Sequence, residues 1–90
     1  MFEPDVYEEL RWTNPEAIVF HEFDRAYMGY TEQKGSSPVA CYDWKKCVEI
    51  LVEDRGMTYD EAVEWMGYNV TDAYIGESTP CFLYARNPDA

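Results

Sequence analysis

The sequence predicts an α+β domain. It consists of a four-stranded antiparallel sheet in the order 3-2-1-4, an αα-hairpin packed on one face, and a short N-terminal helix or arm. Three observations predict it. The stretch from Asp43 to Gly76 holds two amphipathic segments joined by Arg55-Gly56-Met57-Thr58. Three short β-rich runs precede that stretch and one follows it. The length, 90 residues of which 47% are hydrophobic and 17% aromatic, suits a single domain (1–90) with one modest core.

The hairpin, residues 43–76, carries the clearest local signals. Asp43 is a good N-cap residue. Trp44, Cys47, Val48 and Leu51 recur at helical spacing, Arg55 continues the row, and Ile50 and Val52 widen the apolar face. Lys45, Lys46, Glu49 and Glu53 fall on the other side. Gly56 suits a left-handed C-terminal cap. Thr58 and Glu61 then make a capping box for a second helix. That helix puts Ala62, Val63, Met66, Val70, Ala73 and Tyr74 on one face. Glu61, Glu64, Tyr68 and Asp72 lie on the other, with Trp65 at the border. Gly67 is read as a point where the neighbouring helix approaches closely, and Gly76 as the end.

The remaining elements follow in order. Residues 1–14 form the arm, in which Val6, Tyr7 and Leu10 are positioned to dock, loosely held. Residues 17–42 read as a three-stranded meander. Its first strand, 17–23, opens with the apolar run Ala17-Ile18-Val19-Phe20. Its second is 26–31, where Gly29 marks a bulge or close approach. Its third is 38–42. The last strand lies in residues 80–85. The hairpin runs out and back, so this strand enters antiparallel to both the first and the third. Either edge is allowed; the first strand's edge makes the apolar run internal. If the helices take Val19, Met28 and Leu83, the open face shows some of Tyr27, Tyr42, Phe82 and Tyr84. A one-residue slip swaps the two faces.

Eighteen acidic residues against seven basic ones give a net charge of −11. That argues against direct binding to nucleic acid or an anionic membrane and permits a basic partner. No apolar run approaches the roughly 20 residues that span a bilayer. The N-terminus has no basic region followed by an apolar core, so a cytoplasmic location is the default. Cys41, Cys47 and Cys81, with the single His21, match no zinc pattern and read as reduced, mostly buried thiols, although a Cys41–Cys81 contact across a sheet is compatible with the elements. His21 reads as a sheet residue rather than a catalytic base. The carboxylate pairs Glu61 with Glu64 and Glu53 with Asp54 fit a solvated helix face better than acid/base chemistry. No phosphate-binding loop or calcium loop is present. No cofactor or metal is expected, and an enzyme is the least favoured class.

A set of spaced residues also carries a resemblance. These are Phe23-Asp24 with Ala26 and Gly29, Tyr42-Asp43, Gly56-Met57-Thr58 with Glu61-Ala62, Tyr68-Asn69, and Gly76-Glu77 with Pro80. In these the chain resembles a family of short, acidic, mostly uncharacterised bacteriophage and prophage proteins. Trp44 and Cys47 depart from the commoner helix residues. The resemblance implies a phage origin and brings no catalytic set. Joined to the charge, it points to a protein in the host bacterial cytoplasm that inhibits a nucleic-acid-handling defence effector with a basic surface. That effector would be of the CRISPR or restriction type, met by direct contact or by DNA mimicry. The alternative is a phage regulatory or adaptor protein. Either is expected to be a monomer or homodimer. The candidate contact residues are Glu49, Glu53, Glu61, Glu64, Tyr68 and Asp72 on the helices, and Tyr27, Tyr42 and Tyr84 on the sheet.

Overall fold

The computed structural model describes residues 5–71 and 76–86. In chain order these form α1 (Glu8–Thr13), a 3₁₀ turn (His21–Ala26), β1 (Tyr27–Tyr30), β2 (Ala40–Asp43), α2 (Trp44–Arg55), α3 (Tyr59–Met66), a π-helical turn (Gly67–Thr71) and β3 (Cys81–Leu83). The α+β class is as expected. The sheet is different: it has three strands in the order β1-β2-β3, and it is mixed. β1 pairs antiparallel with β2, whereas β3 pairs parallel with it.

The helical hairpin forms where its local signals place it. The Asp43 side chain accepts from the Lys46 N–H at 3.3 Å, capping α2. Gly56 ends α2 at φ 66°, a left-handed conformation that glycine adopts without a Cβ penalty. The capping box closes in both directions. The Glu61 N–H donates to Thr58 Oγ1 at 3.1 Å, and the Thr58 N–H donates to Glu61 Oε1 at 2.9 Å. Thr58→Ala should therefore lower stability by about 1 kcal/mol; urea unfolding measures it, and an unchanged midpoint would remove the cap from the account. Beyond Met66 the helix widens into a π turn, where Val70 is still buried. Gly67 permits no close approach, because a Cβ there would meet nothing within 4 Å. Ala73 and Tyr74 lie outside the described residues.

Residues 17–20 form no strand. Their backbone donors go to scattered partners: Ala17 to the Asn14 carbonyl, Ile18 to the Ser78 carbonyl, and Phe20 to Tyr42 Oη at 2.7 Å. These three N–H groups are thus satisfied one by one and not by a ladder. The chain then turns at His21–Ala26, which buries Phe23 and Ala26.

The parallel entry of β3 has a visible cause. The Asn14 amide donates to the Pro38 carbonyl at 2.8 Å and to Ser78 Oγ at 3.3 Å. Ser78, which leads into β3, therefore lies beside Pro38, which leads into β2. Both strands start from the same end and run the same way. The α-helix stops at Met66 and a π-helical turn runs on to Thr71, short of the Gly76 end expected from the sequence.

One core joins the sheet to the helices. It contains Tyr7, Leu10, Phe23, Ala26, Ala40, Tyr42, Cys47, Val48, Ile50, Leu51, Ala62, Met66 and Val70. The arm is thus part of the core and not a loose appendage, since Tyr7 and Leu10 are buried; Val6 is exposed. The sheet faces are the reverse of those sketched from the sequence. Ala40 and Tyr42 point inward, and register places Tyr27 and Phe82 beside Tyr42 on that same face. Met28 and Leu83 are exposed instead, at 52% and 43%. A β-bulge between Tyr27 and Gly29, with Gly29 at φ 134°, sets this parity.

Tyr42 is the centre of the aromatic packing. Its ring lies 5.8–6.5 Å from those of Tyr7, Phe20, Tyr27 and Phe82. Its hydroxyl accepts from the Phe20 N–H and lies 3.0 Å from Tyr7 Oη. Tyr7 donates in turn to the Asp24 carboxylate. The buried tyrosine oxygens thus form a short chain that ends on a surface acid.

Candidate partner-binding surface

The acids of the two helices are not equivalent. On α2, Glu49 lies 3.7 Å from Lys46 Nζ, and Glu53 lies 3.6 Å from Arg25, which also meets Asp54 at 3.3 Å. Arg55 pairs with Glu22 at 2.6 Å, and Arg11 pairs with Asp5. Most of the scarce basic side chains are therefore engaged around α1, the 3₁₀ turn and α2. On α3, Asp60, Glu61 and Glu64 are exposed and have no ion-pair partner among the described residues. The net negative charge is thus least compensated at α3.

The same helix borders an open groove of about 320 Å³ lined by Met57, Glu61, Glu64, Trp65, Tyr68 and Asn69. Its floor is held from behind. Trp65 packs edge-on against buried Phe23, and the Arg55 guanidinium lies 4.9 Å from the centre of its ring. The Asn69 amide donates to the Trp65 carbonyl at 3.1 Å. Tyr68 stands at the rim, 77% exposed. Hydrogen bonds from the Thr58 backbone N–H, and then from its hydroxyl, lower the Glu61 carboxyl below its usual value. The groove therefore offers an apolar floor, an aromatic rim and fixed negative charge. It is equipped to receive a cationic or mixed cationic–apolar protrusion.

Of the acids proposed from the sequence, Glu61 and Glu64 line the groove together with Tyr68, whereas Glu49 and Glu53 lie on α2 among cations. Asp72 lies outside the described residues. The tyrosines of the sheet separate. Tyr42 is fully buried and offers no surface to a partner. Tyr27 is half-buried, 4.4 Å from the Tyr7 ring. Tyr84 is exposed and stacks on Trp44 at 5.1 Å. The reason is the sheet parity described above. Sequence reasoning did not assign Met57, Trp65 and Asn69 to the surface. The border position of Trp65, next to the acid row, was the one signal that could have included it.

His21 is not a sheet residue. It opens the 3₁₀ turn, with Nδ1 3.4 Å from the Asp24 carboxylate and its ring edge-on to Tyr7. Among the described residues no group of three or more His, Cys, Asp or Glu side chains could hold a metal ion. No helix among them is long and apolar enough to cross a membrane. Compared with models of protein families, with curated proteins and with solved structures, the chain matches none.

Proposed function

We propose that this chain is a phage-encoded binding protein that inhibits a host nucleic-acid-handling defence effector by covering a basic surface with α3 and its groove. One observation carries the reading. Glu61 and Glu64, with Asp60 beside them, have no ion-pair partner among the described residues and border an aromatic-rimmed groove, while Arg11, Arg25, Lys46 and Arg55 are paired with other acids. Three carboxylates within about 6 Å of helix axis give one charge per roughly 3 Å, about half the linear charge density of duplex DNA at one per roughly 1.7 Å. The phage context and the class of effector come from the resemblance in the spaced residues. The surface would have to outcompete a polyanion for the same basic groove, which favours concentrated, fixed charge over dispersed charge.

A second reading, a regulatory or adaptor protein acting through self-association, is favoured by a different feature. Met28, Tyr30, Leu83 and Tyr84 are exposed on and beside the sheet. Sedimentation separates the two. A stable oligomer that protects these residues supports the adaptor, and a monomer, or a dimer that leaves them and the acids of α3 exposed, supports the inhibitor.

The direct test starts with a pull-down from bacterial lysate and continues with affinity for the captured effector at two salt concentrations. Glu64→Lys and Tyr68→Ala should each weaken binding about tenfold or more. Lys45→Glu, away from the groove, should leave it nearly unchanged. Association should slow as salt rises, since exposed charges are screened beyond about 8–10 Å. Equal affinities for parent and Glu64→Lys at low salt would reject this surface.

A further inference from the structure

The three cysteines occupy two different settings. Cys47 is fully buried on α2. Burial first, then the nearby charges of Asp43 and Glu22, push its thiol up to about 12, so it should react only on unfolding. Cys41 and Cys81 are half-buried and sit directly opposite each other on the parallel strands β2 and β3. Side chains alternate along a strand, and Ala40 and Tyr42 face the core. Cys41 and its register partner Cys81 therefore share the opposite, outer face.

That face is open above the pair. The β1 residue in register with Cys41 is Gly29. A Cβ at Gly29 would meet nothing within 4 Å. Gly29 itself therefore puts no side chain over the pair. The lateral spacing of paired strands, about 4.8 Å, lies inside the roughly 4.4–6.8 Å Cα window that a disulfide requires. β3 is also a three-residue edge strand, free to shift slightly as the sulfurs approach.

We propose that Cys41 and Cys81 form a thiol–disulfide exchange site that takes a low-molecular-weight disulfide as its substrate and closes to a cross-strand disulfide. The order of events follows from the two positions. Cys41 lies on the central strand, its thiol raised by burial and then by the hydrogen bond and charge of Cys81, whereas Cys81 lies on the edge strand and is the first to meet the substrate. The Cys81 thiolate, on the edge strand, attacks one sulfur of RS–SR. That S–S bond breaks, RS⁻ leaves, and Cys81 holds a mixed disulfide. Cys41 then loses its proton, attacks the Cys81 sulfur and expels the second RS⁻. The protein dithiol loses two electrons and two protons, and the substrate is reduced to two RSH. The link closes a loop that contains both α2 and α3, so the redox state of the pair decides whether the edge strand can part from the central one.

The test uses oxidised glutathione on the whole chain, with acid quenching, alkylation and mass spectrometry of the intact protein and its peptides. The parent should lose two hydrogens and yield a Cys41–Cys81 linked peptide, while Cys47 becomes alkylatable only in denaturant. Cys41→Ser should accumulate a glutathione adduct on Cys81. Cys81→Ser should form an adduct on Cys41 more slowly. Circular dichroism confirms that each variant is folded. Three results would each overturn the site: stable adducts on the parent with no internal link, a link that involves Cys47, or linkage only between chains.

Discussion

Tyr42→Ala should cost roughly 3–5 kcal/mol, the range seen when a large buried aromatic is truncated. A chain of this length has a total stability of only about 5–14 kcal/mol. The size of the effect follows from what Tyr42 joins. Its ring touches one aromatic from the arm (Tyr7), one from the irregular segment (Phe20), and one from each flanking strand (Tyr27 and Phe82). The cavity left by alanine therefore borders four separate pieces of chain. Tyr42→Phe separates packing from hydrogen bonding. It keeps the ring and strips the acceptor from the Phe20 N–H and the partner from the Tyr7 hydroxyl. Leaving such groups unsatisfied costs about 1–3 kcal/mol. Urea unfolding of both variants gives the two values. If Tyr42→Ala unfolded at the parent's urea midpoint, the aromatic centre would have no part in holding the sheet to the arm.

The same residues show which parts of this fold a single sequence discloses. The helical hairpin was legible because its signals are local. Asp43, Gly56, and Thr58 with Glu61 each act on backbone groups within a few residues. The acid row of α3 was legible for the same reason. The strand assigned to residues 17–23 failed because its donors are satisfied by partners far along the chain, Tyr42 and Ser78 among them. An apolar β-branched run reads alike whether it joins a ladder or lies across a sheet. The direction of β3 goes with long-range contacts, the Asn14 amide joining Ser78 to Pro38 and the Ile18 N–H meeting the Ser78 carbonyl. The inward turn of Tyr42 depended on register and a bulge at Gly29. Parity and crossover are decided by tertiary contacts, and a site that depends on them, such as the tyrosine face, is lost with them. The α3 groove depends on them less, because its lining residues come from one helix and the turns that flank it.

The protein should unfold cooperatively in mildly alkaline solution, beginning as the pH passes about 9 and steepening above 10. Tyr7 and Cys47 are fully buried and are held neutral. Burial, and then the hydrogen bond to Asp24, raise Tyr7; burial raises Cys47 to about 12. Tyr42 is shifted the same way, burial outweighing the opposing hydrogen bonds from Tyr7 and the Phe20 backbone. A group whose folded pKa lies above its unfolded value contributes stability that is fully present below the unfolded pKa. That stability is lost as pH rises from the unfolded pKa toward the folded one. The unfolded values are the ordinary 9.0 for a cysteine and 10.0 for a tyrosine. Each such group removes about 1.4 kcal/mol per pH unit once its unfolded form ionises. Tyr7 and Cys47 alone thus withdraw about 2 kcal/mol between pH 10 and 11, and Tyr42 adds to this. Added to what is lost from pH 9 upward, this approaches the lower bound on total stability by about pH 11, so unfolding should be complete near there. Tyrosinate absorbance and far-ultraviolet circular dichroism, followed from pH 8 to 12, should change together. Tyr7→Phe removes one of the ionising groups and should flatten the pH dependence of the unfolding free energy by about 1.4 kcal/mol per pH unit above 10, whatever its effect at neutral pH. If all eight tyrosines ionised near pH 10 while the circular dichroism stayed native, the buried aromatic chain would be open to solvent. The packing of Tyr7 and Tyr42 described above would then be wrong.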